Sequence, residues 1–143
     1  MSKRLNIISL VVLALTLIVA TSGCARPQPA SLTDAQVGAT LTNILQAANA
    51  NDYESFKQDF SDAMINAFTQ EQFTQLRDLL QTASGNFVST GTPTLLNQNG
   101  YAGYRFPCEF EKEDVIATIT FIIGGNKVDG LFFDSTNLRA ASQ

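Results

Sequence analysis

Gly85 separates two stretches whose apolar residues recur at different periods, and this change of period constrains the fold more than any other feature of the chain. Before it, Val37, Leu41, Ile44, Leu45 and Ala48 return at the spacing of one helical face. Ser31 or Thr33 can cap that helix, and Asn49 to Asn51 stop it. Asp52 can cap a short second helix carrying Tyr53, Phe56 and Phe60, and Ser61 a further turn through Met64, Ile65 and Phe68. Thr69-Gln70-Glu71-Gln72 reads as a capping box ahead of Phe73, Leu76, Leu79, Leu80 and Ala83. Gly85 then stands where a left-handed helix stop is wanted.

Beyond Gly85 the pattern alternates. Tyr104, Phe106, Cys108 and Phe110 fall on one face of a strand, with Arg105, Pro107 and Glu109 on the other, and Asn99-Gly100 is a strong turn dipeptide before it. Pro107 lacks a ladder donor, so the strand is expected to have a bulge or a free edge there. Val115 to Ile123 is β-branched and apolar, Gly124-Gly125-Asn126 turns the chain, and Lys127 to Phe133 follows. Phe87 to Thr90 and Thr94 to Asn97 supply the first strands of an antiparallel meander. Helices followed by strands predict an α+β domain with helices on one sheet face.

The first residues determine where that domain is delivered. Lys3 and Arg4 precede an apolar run from Leu10 to Ala20 that only Thr16 interrupts, then Thr21-Ser22-Gly23-Cys24. A cationic start, a short apolar stretch and small residues before a cleavage point are what an export signal needs, whereas a spanning helix needs about 20 apolar residues. The segment resembles lipoprotein signal peptides, with Thr21 where Leu is usual, which implies trimming before Cys24 and diacylation of its sulfur. The expected organisation is therefore a signal peptide over 1–23, a lipid-anchored linker over 24–31, the α+β domain over 32–135 and a C-terminal tail over 136–143. Two prolines in Ala25 to Ser31 favour an extended linker reaching roughly 20 Å. The expected location is the extracytoplasmic face of the cell membrane, or an outer membrane where the host has one.

Residues 24–143 carry seven Lys or Arg against thirteen Asp or Glu. Such an acidic balance argues against a nucleic-acid partner and against electrostatic attachment to anionic lipid, both of which need clustered cations. With Cys24 in a thioether, Cys108 is a lone thiol flanked by Phe106 and Phe110, a setting that reads as core. The chain has no histidine. That removes Ser-His-Asp and Cys-His catalysis and a histidine base, and one remaining cysteine cannot build a zinc site. No cofactor is expected.

Asn51-Asp52-Tyr53-Glu54-Ser55-Phe56, then Phe60-Ser61-Asp62-Ala63-Met64, the helix Phe73 to Ala83 and Gly85-Asn86-Phe87 resemble the domain of unknown function 3887 family, within the nuclear transport factor 2-like, cystatin-like cones. The resemblance implies helices wrapped on a curved antiparallel sheet, often with a pocket at the open end and often with homodimerisation through the sheet. Relatives of that fold include isomerases and cyclases beside non-catalytic modules, so the fold alone selects no activity. The isomerase pattern of a carboxylate with a tyrosine would draw here on Tyr53, Tyr104, Asp129 and Asp134. Calcium at Glu109, Glu111, Glu113 and Asp114 is set against a solvated acidic hairpin turn, the preferred reading, since an oxygen cage needs about 6 to 8 ligands. Arg105, if its face lines a pocket, could hold a carboxylate or phosphate. The preferred reading pairs it with an acid across the sheet. The residues therefore point to a non-catalytic, membrane-anchored module that binds a small apolar ligand or an envelope protein. Tyr53, Tyr104 and Arg105 are the candidate ligand contacts, and an isomerase-like or cyclase-like enzyme is the alternative.

Overall fold

A computed structural model describes residues 32–98 and 100–142, so the segments expected as a signal peptide (1–23) and as a lipid-anchored linker from Cys24 (24–31) lie outside the described residues. The first helix, α1 (Asp34–Ala50), is capped by Thr33, whose side chain accepts from the Gln36 N–H while Gln36 reaches back to the Thr33 N–H. Ser31, the other proposed cap, lies outside the described residues. Asn51 ends α1 in the left-handed region, φ 59°, which asparagine tolerates better than most residues. All five residues of the expected stripe are buried, together with Ala47.

Asp52 and Ser61 cap α2 (Tyr53–Lys57) and α3 (Asp62–Ala67), and Thr69 closes a capping box on α4 (Gln70–Ala83). These turns converge on an aromatic cluster. Phe56 packs on Phe73 at 4.8 Å between centroids, on Phe60 at 5.2 Å and on Phe68 at 5.7 Å. Gly85 follows α4 with φ 82°, and a Cβ there would lie 2.8 Å from Glu111 Cβ, so the site admits only glycine without strain.

Five strands form one antiparallel sheet: β1 (Phe87–Thr90), β2 (Thr94–Gln98), β3 (Tyr101–Phe110), β4 (Asp114–Ile122) and β5 (Val128–Asp134). β1 and β2 both pair with β3, the former along Cys108 to Phe110 and the latter along Tyr101 to Arg105. The expected meander is thus present, with its first strand broken in two at residues 91–93. Pro107 explains the break. Its carbonyl accepts from the Gly91 N–H at 2.7 Å, so its donor-less nitrogen points to the same side, where the broken strand offers no ladder acceptor. Pro107 therefore lies in an interior strand opposite a gap, rather than at a bulge or free edge of its own.

The inward side chains of β3 and β4 follow the alternation, and Tyr104, Phe106, Cys108, Val115, Ala117, Ile119 and Phe121 are buried beneath the helices. β5 is flanked by the link between α2 and α3: Val128 donates to the Asp59 carbonyl at 2.8 Å and accepts from the Ser61 N–H at 2.7 Å. The segment expected as a tail instead continues as α5 (Thr136–Ala141), capped by Ser135 and anchored by buried Leu138. Helices on one face of a five-stranded antiparallel sheet are consistent with a nuclear transport factor 2-like cone. Among the described residues no helix is long and apolar enough to cross a membrane.

Candidate functional site

The α4 stripe is wider than the sheet beneath it can cover. Phe73 and Leu80 are buried, but Leu76 and Leu79 remain half-buried. They face Leu131 and Phe133 of β5, Phe68, and Leu138 of α5 across an open groove of about 500 Å³. Asp134 and Arg139 stand at its rim as a bidentate pair, with Arg139 Nη1 2.8 and 2.9 Å from the two carboxylate oxygens. This is an apolar body with one polar rim, within the size range of small-molecule sites.

The groove depends on where α5 is held, and Glu113 in the β3–β4 turn holds it. Its Oε1 accepts from Ser84 Oγ at 2.7 Å and Ser135 Oγ at 2.6 Å, and its Oε2 from the Asn137 N–H at 3.2 Å. One carboxylate thus ties the end of α4 to the start of α5. Burial opposes its ionisation, but the hydrogen bonds from Ser135, Ser84 and Asn137, with Arg139 nearby, outweigh burial and hold its pKa below the usual carboxylate range. Glu111, exposed beside it, accepts from the Asn86 N–H and side chain, which lower its pKa in turn. Glu109 accepts from Ser89 Oγ at 3.1 Å. The acidic hairpin is a hydrogen-bonded turn, and among the described residues no group of three or more acids or cysteines is placed to hold a metal ion.

The three candidate ligand contacts are not brought together. Tyr53 donates to the Phe68 carbonyl at 2.7 Å, lies under the Lys57 ammonium and packs on Phe73. Its ring edges a polar cleft with Asp52 and Glu54, but Asp52 is the α2 cap and Glu54 pairs with Lys57 at 2.9 Å. Tyr104 is buried in the core against Phe121, and burial raises its phenol pKa, with Asp34 adding to the effect. Arg105 is on the opposite, outer face of the sheet. Its cross-strand neighbours are Thr94 and Thr118, so the expected acid partner is absent from the register. It lines a shallow depression of about 380 Å³ with Leu96, Tyr101, Gly103 and Phe132.

The carboxylates of the isomerase pattern are engaged elsewhere. Asp129 accepts from Ser61 Oγ at 2.6 Å, and Asp134 pairs with Arg139. Cys108 is buried, its thiol pushed up to about 12 by burial against a weaker opposing pull from the Ala117 backbone, which suits a core residue and not a nucleophile. Sequence reasoning placed no ligand contact in the groove: Leu76 and Leu79 read as core, and Leu138, Arg139 and Ser142 fell in the expected tail. Ser135 as a cap and Arg139 in the last turn were readable signals, but six residues are too few to display a helical period.

No curated protein matches the chain. Residues 42–131, running from within α1 to the middle of β5, match the family described as protein of unknown function (DUF3887), and the chain belongs to that family.

Proposed function

We propose that the protein is a lipid-anchored, extracytoplasmic, non-catalytic binding module that takes a small apolar ligand in the groove between α4, β5 and α5. The observation that carries the reading is the groove itself: Leu76, Leu79, Leu131 and Phe133 are left only half-buried by their own domain around about 500 Å³ of space, with a single ion pair at the rim. Apolar side chains kept in contact with water cost free energy that a ligand recovers on entry. The polar rim would orient an amphiphile with its head group at Asp134 and Arg139. The engagement of Tyr53, Asp129 and Asp134 in structural hydrogen bonds supports a binding role over an isomerase-like or cyclase-like one.

Native mass spectrometry of the protein extracted from its own membranes tests both parts. The expected result is a chain starting at Cys24 with a diacylglyceryl adduct and a further non-covalent mass. That second mass should disappear in Leu79→Arg, which puts a charge in the groove, and persist in Val88→Arg, on a distant exposed strand position. A lipidated chain that is empty in both variants and in the parent would refute the ligand reading. In that outcome an envelope protein becomes the occupant to seek.

A further inference from the structure

Six large apolar side chains stand exposed among the described residues, and three of them, Tyr101, Ile122 and Phe132, are on the outer face of the sheet. Tyr101 and Ile122 are register partners at the end where β3 begins and β4 finishes. The next row is Leu96, Gly103, Thr120 and Gly130, so two glycines leave the neighbouring side chains projecting clear of the backbone. Phe132, 64% exposed, follows one row further in, across from Thr118 and Arg105. The acidic turn of Glu109, Glu111, Glu113 and Asp114 lies at the opposite end of β3 and β4. The apolar end has exposed Arg105 and Lys127, the latter donating to the Gln58 carbonyl at 3.1 Å and lying 3.9 Å from Asp59, and Asp34 and Asp129 are also at this end.

The chain enters the domain at the same end. α1 passes the middle of β3 where Gly38 abuts the Phe106 ring, with Asp34 at its start acting on Tyr104, and finishes at β1, where Asn49 bonds the backbone of Phe87 in both directions. Leu32 and Thr33 are therefore at the Tyr101 end, and only seven residues separate Leu32 from Cys24. An extended linker of that length reaches roughly 20 Å, too short to carry the domain away from a tether point or to let its far end approach it.

We propose that this end of the sheet docks on the phospholipid surface to which Cys24 tethers the chain. Tyr101 and Ile122 enter the interfacial layer, Phe132 lies at its edge, and Arg105 reaches a lipid phosphate. The inference rests on the reading of Cys24 as lipidated. Aromatic rings with a polar tip and long cationic side chains are the residues that partition to that depth, and insertion is driven by apolar area here because the domain as a whole is acidic.

The chain contains no tryptophan, so a single one reports its own surroundings. Ile122→Trp and Val88→Trp replace residues 54% and 55% exposed at opposite ends of the sheet. Each variant is prepared as the whole chain from membranes and reconstituted in vesicles of phosphatidylethanolamine and phosphatidylglycerol brominated on their acyl chains, with a mass spectrum taken on the same sample. The expected result is a blue-shifted emission from Ile122→Trp that loses most of its intensity to the bromines, while Val88→Trp keeps its intensity. A lipidated, vesicle-bound chain whose Ile122→Trp emission is unquenched overturns the docking and leaves the anchor standing. Emission shielded from an aqueous quencher but untouched by brominated lipid means that a second copy covers the patch, which also overturns it. An unlipidated chain that stays off the vesicles overturns both readings, and an unlipidated chain that binds and is quenched overturns the anchor alone.

Discussion

Glu113→Ala should be the most damaging substitution in the β3–β4 turn, because it removes one carboxylate from three donors at once. Ser84 is fully buried and Ser135 nearly so, and both lose their acceptor. Hydrogen bonds to a charged group contribute about 1.5–3 kcal/mol each. The three share one carboxylate still partly in water, so the sum is discounted to a net loss of about 2–4 kcal/mol. For a domain of this size each kcal/mol lowers the midpoint by about 4 °C. Urea unfolding followed by circular dichroism measures the loss directly, and Glu113→Gln gives the electrostatic part. The folded pKa of Glu113 lies below its unfolded value, so its contribution is present in full above the ordinary carboxylate range and disappears as pH falls through the folded pKa. The stability gap between the parent chain and Glu113→Gln should therefore shrink as pH falls from neutral through the carboxylate range. A loss under about 1 kcal/mol in Glu113→Ala, or a Glu113→Gln gap that does not change with pH, would refute the assignment of Glu113 as the clamp on α5.

Gly85→Ala combines a left-handed φ with a Cβ contact on Glu111 and should cost about 1–3 kcal/mol in the same assay; an unchanged midpoint would mean that the turn relaxes freely. Tyr53→Phe deletes only the bond to the Phe68 carbonyl and should lose about 1 kcal/mol, with no change in the groove adduct. In a Cys24→Ser background, Cys108 should resist thiol reagents in the native state and react at the rate of unfolding, and labelling at the rate of a free thiol would contradict its burial.

What was legible in the sequence is what local rules determine. Thr33, Asp52, Ser61 and Thr69 each satisfy the first turn of the helix that follows, and each does so whatever lies across the domain. The alternation from Tyr104 to Phe110 sorts inward from outward residues without reference to a partner strand. The acid expected opposite Arg105 required knowledge of register, which places Thr94 and Thr118 there and puts Asp114 opposite Glu109 instead. The groove was illegible for a related reason. Leu76 and Leu79 look like core by period, and only the position of α5, fixed by a side chain more than twenty residues earlier, leaves them lining open space.

The two ends of the sheet therefore differ in kind, and the difference follows from the chain path. α1 starts at the Tyr101 end, so anything attached ahead of Leu32 is attached there. α5 and the Glu113 clamp are at the other end, where β3 turns into β4, and Asp134 and Arg139 open beside them. On the proposed reading, a short tether holds the apolar end of the sheet against lipid, and the groove rim points away from it. A ligand would then reach the groove from the aqueous side, and loosening of α5 by acid would alter access to the groove without disturbing the contact with the membrane. Phe132 borders both the groove and the depression beside Arg105, but the clamp and the Tyr101–Ile122 pair lie at opposite ends of the sheet. Glu113→Gln should therefore change groove occupancy and leave Ile122→Trp quenching intact, and a variant at Glu113 that moves both readouts together would show that the ends are not independent.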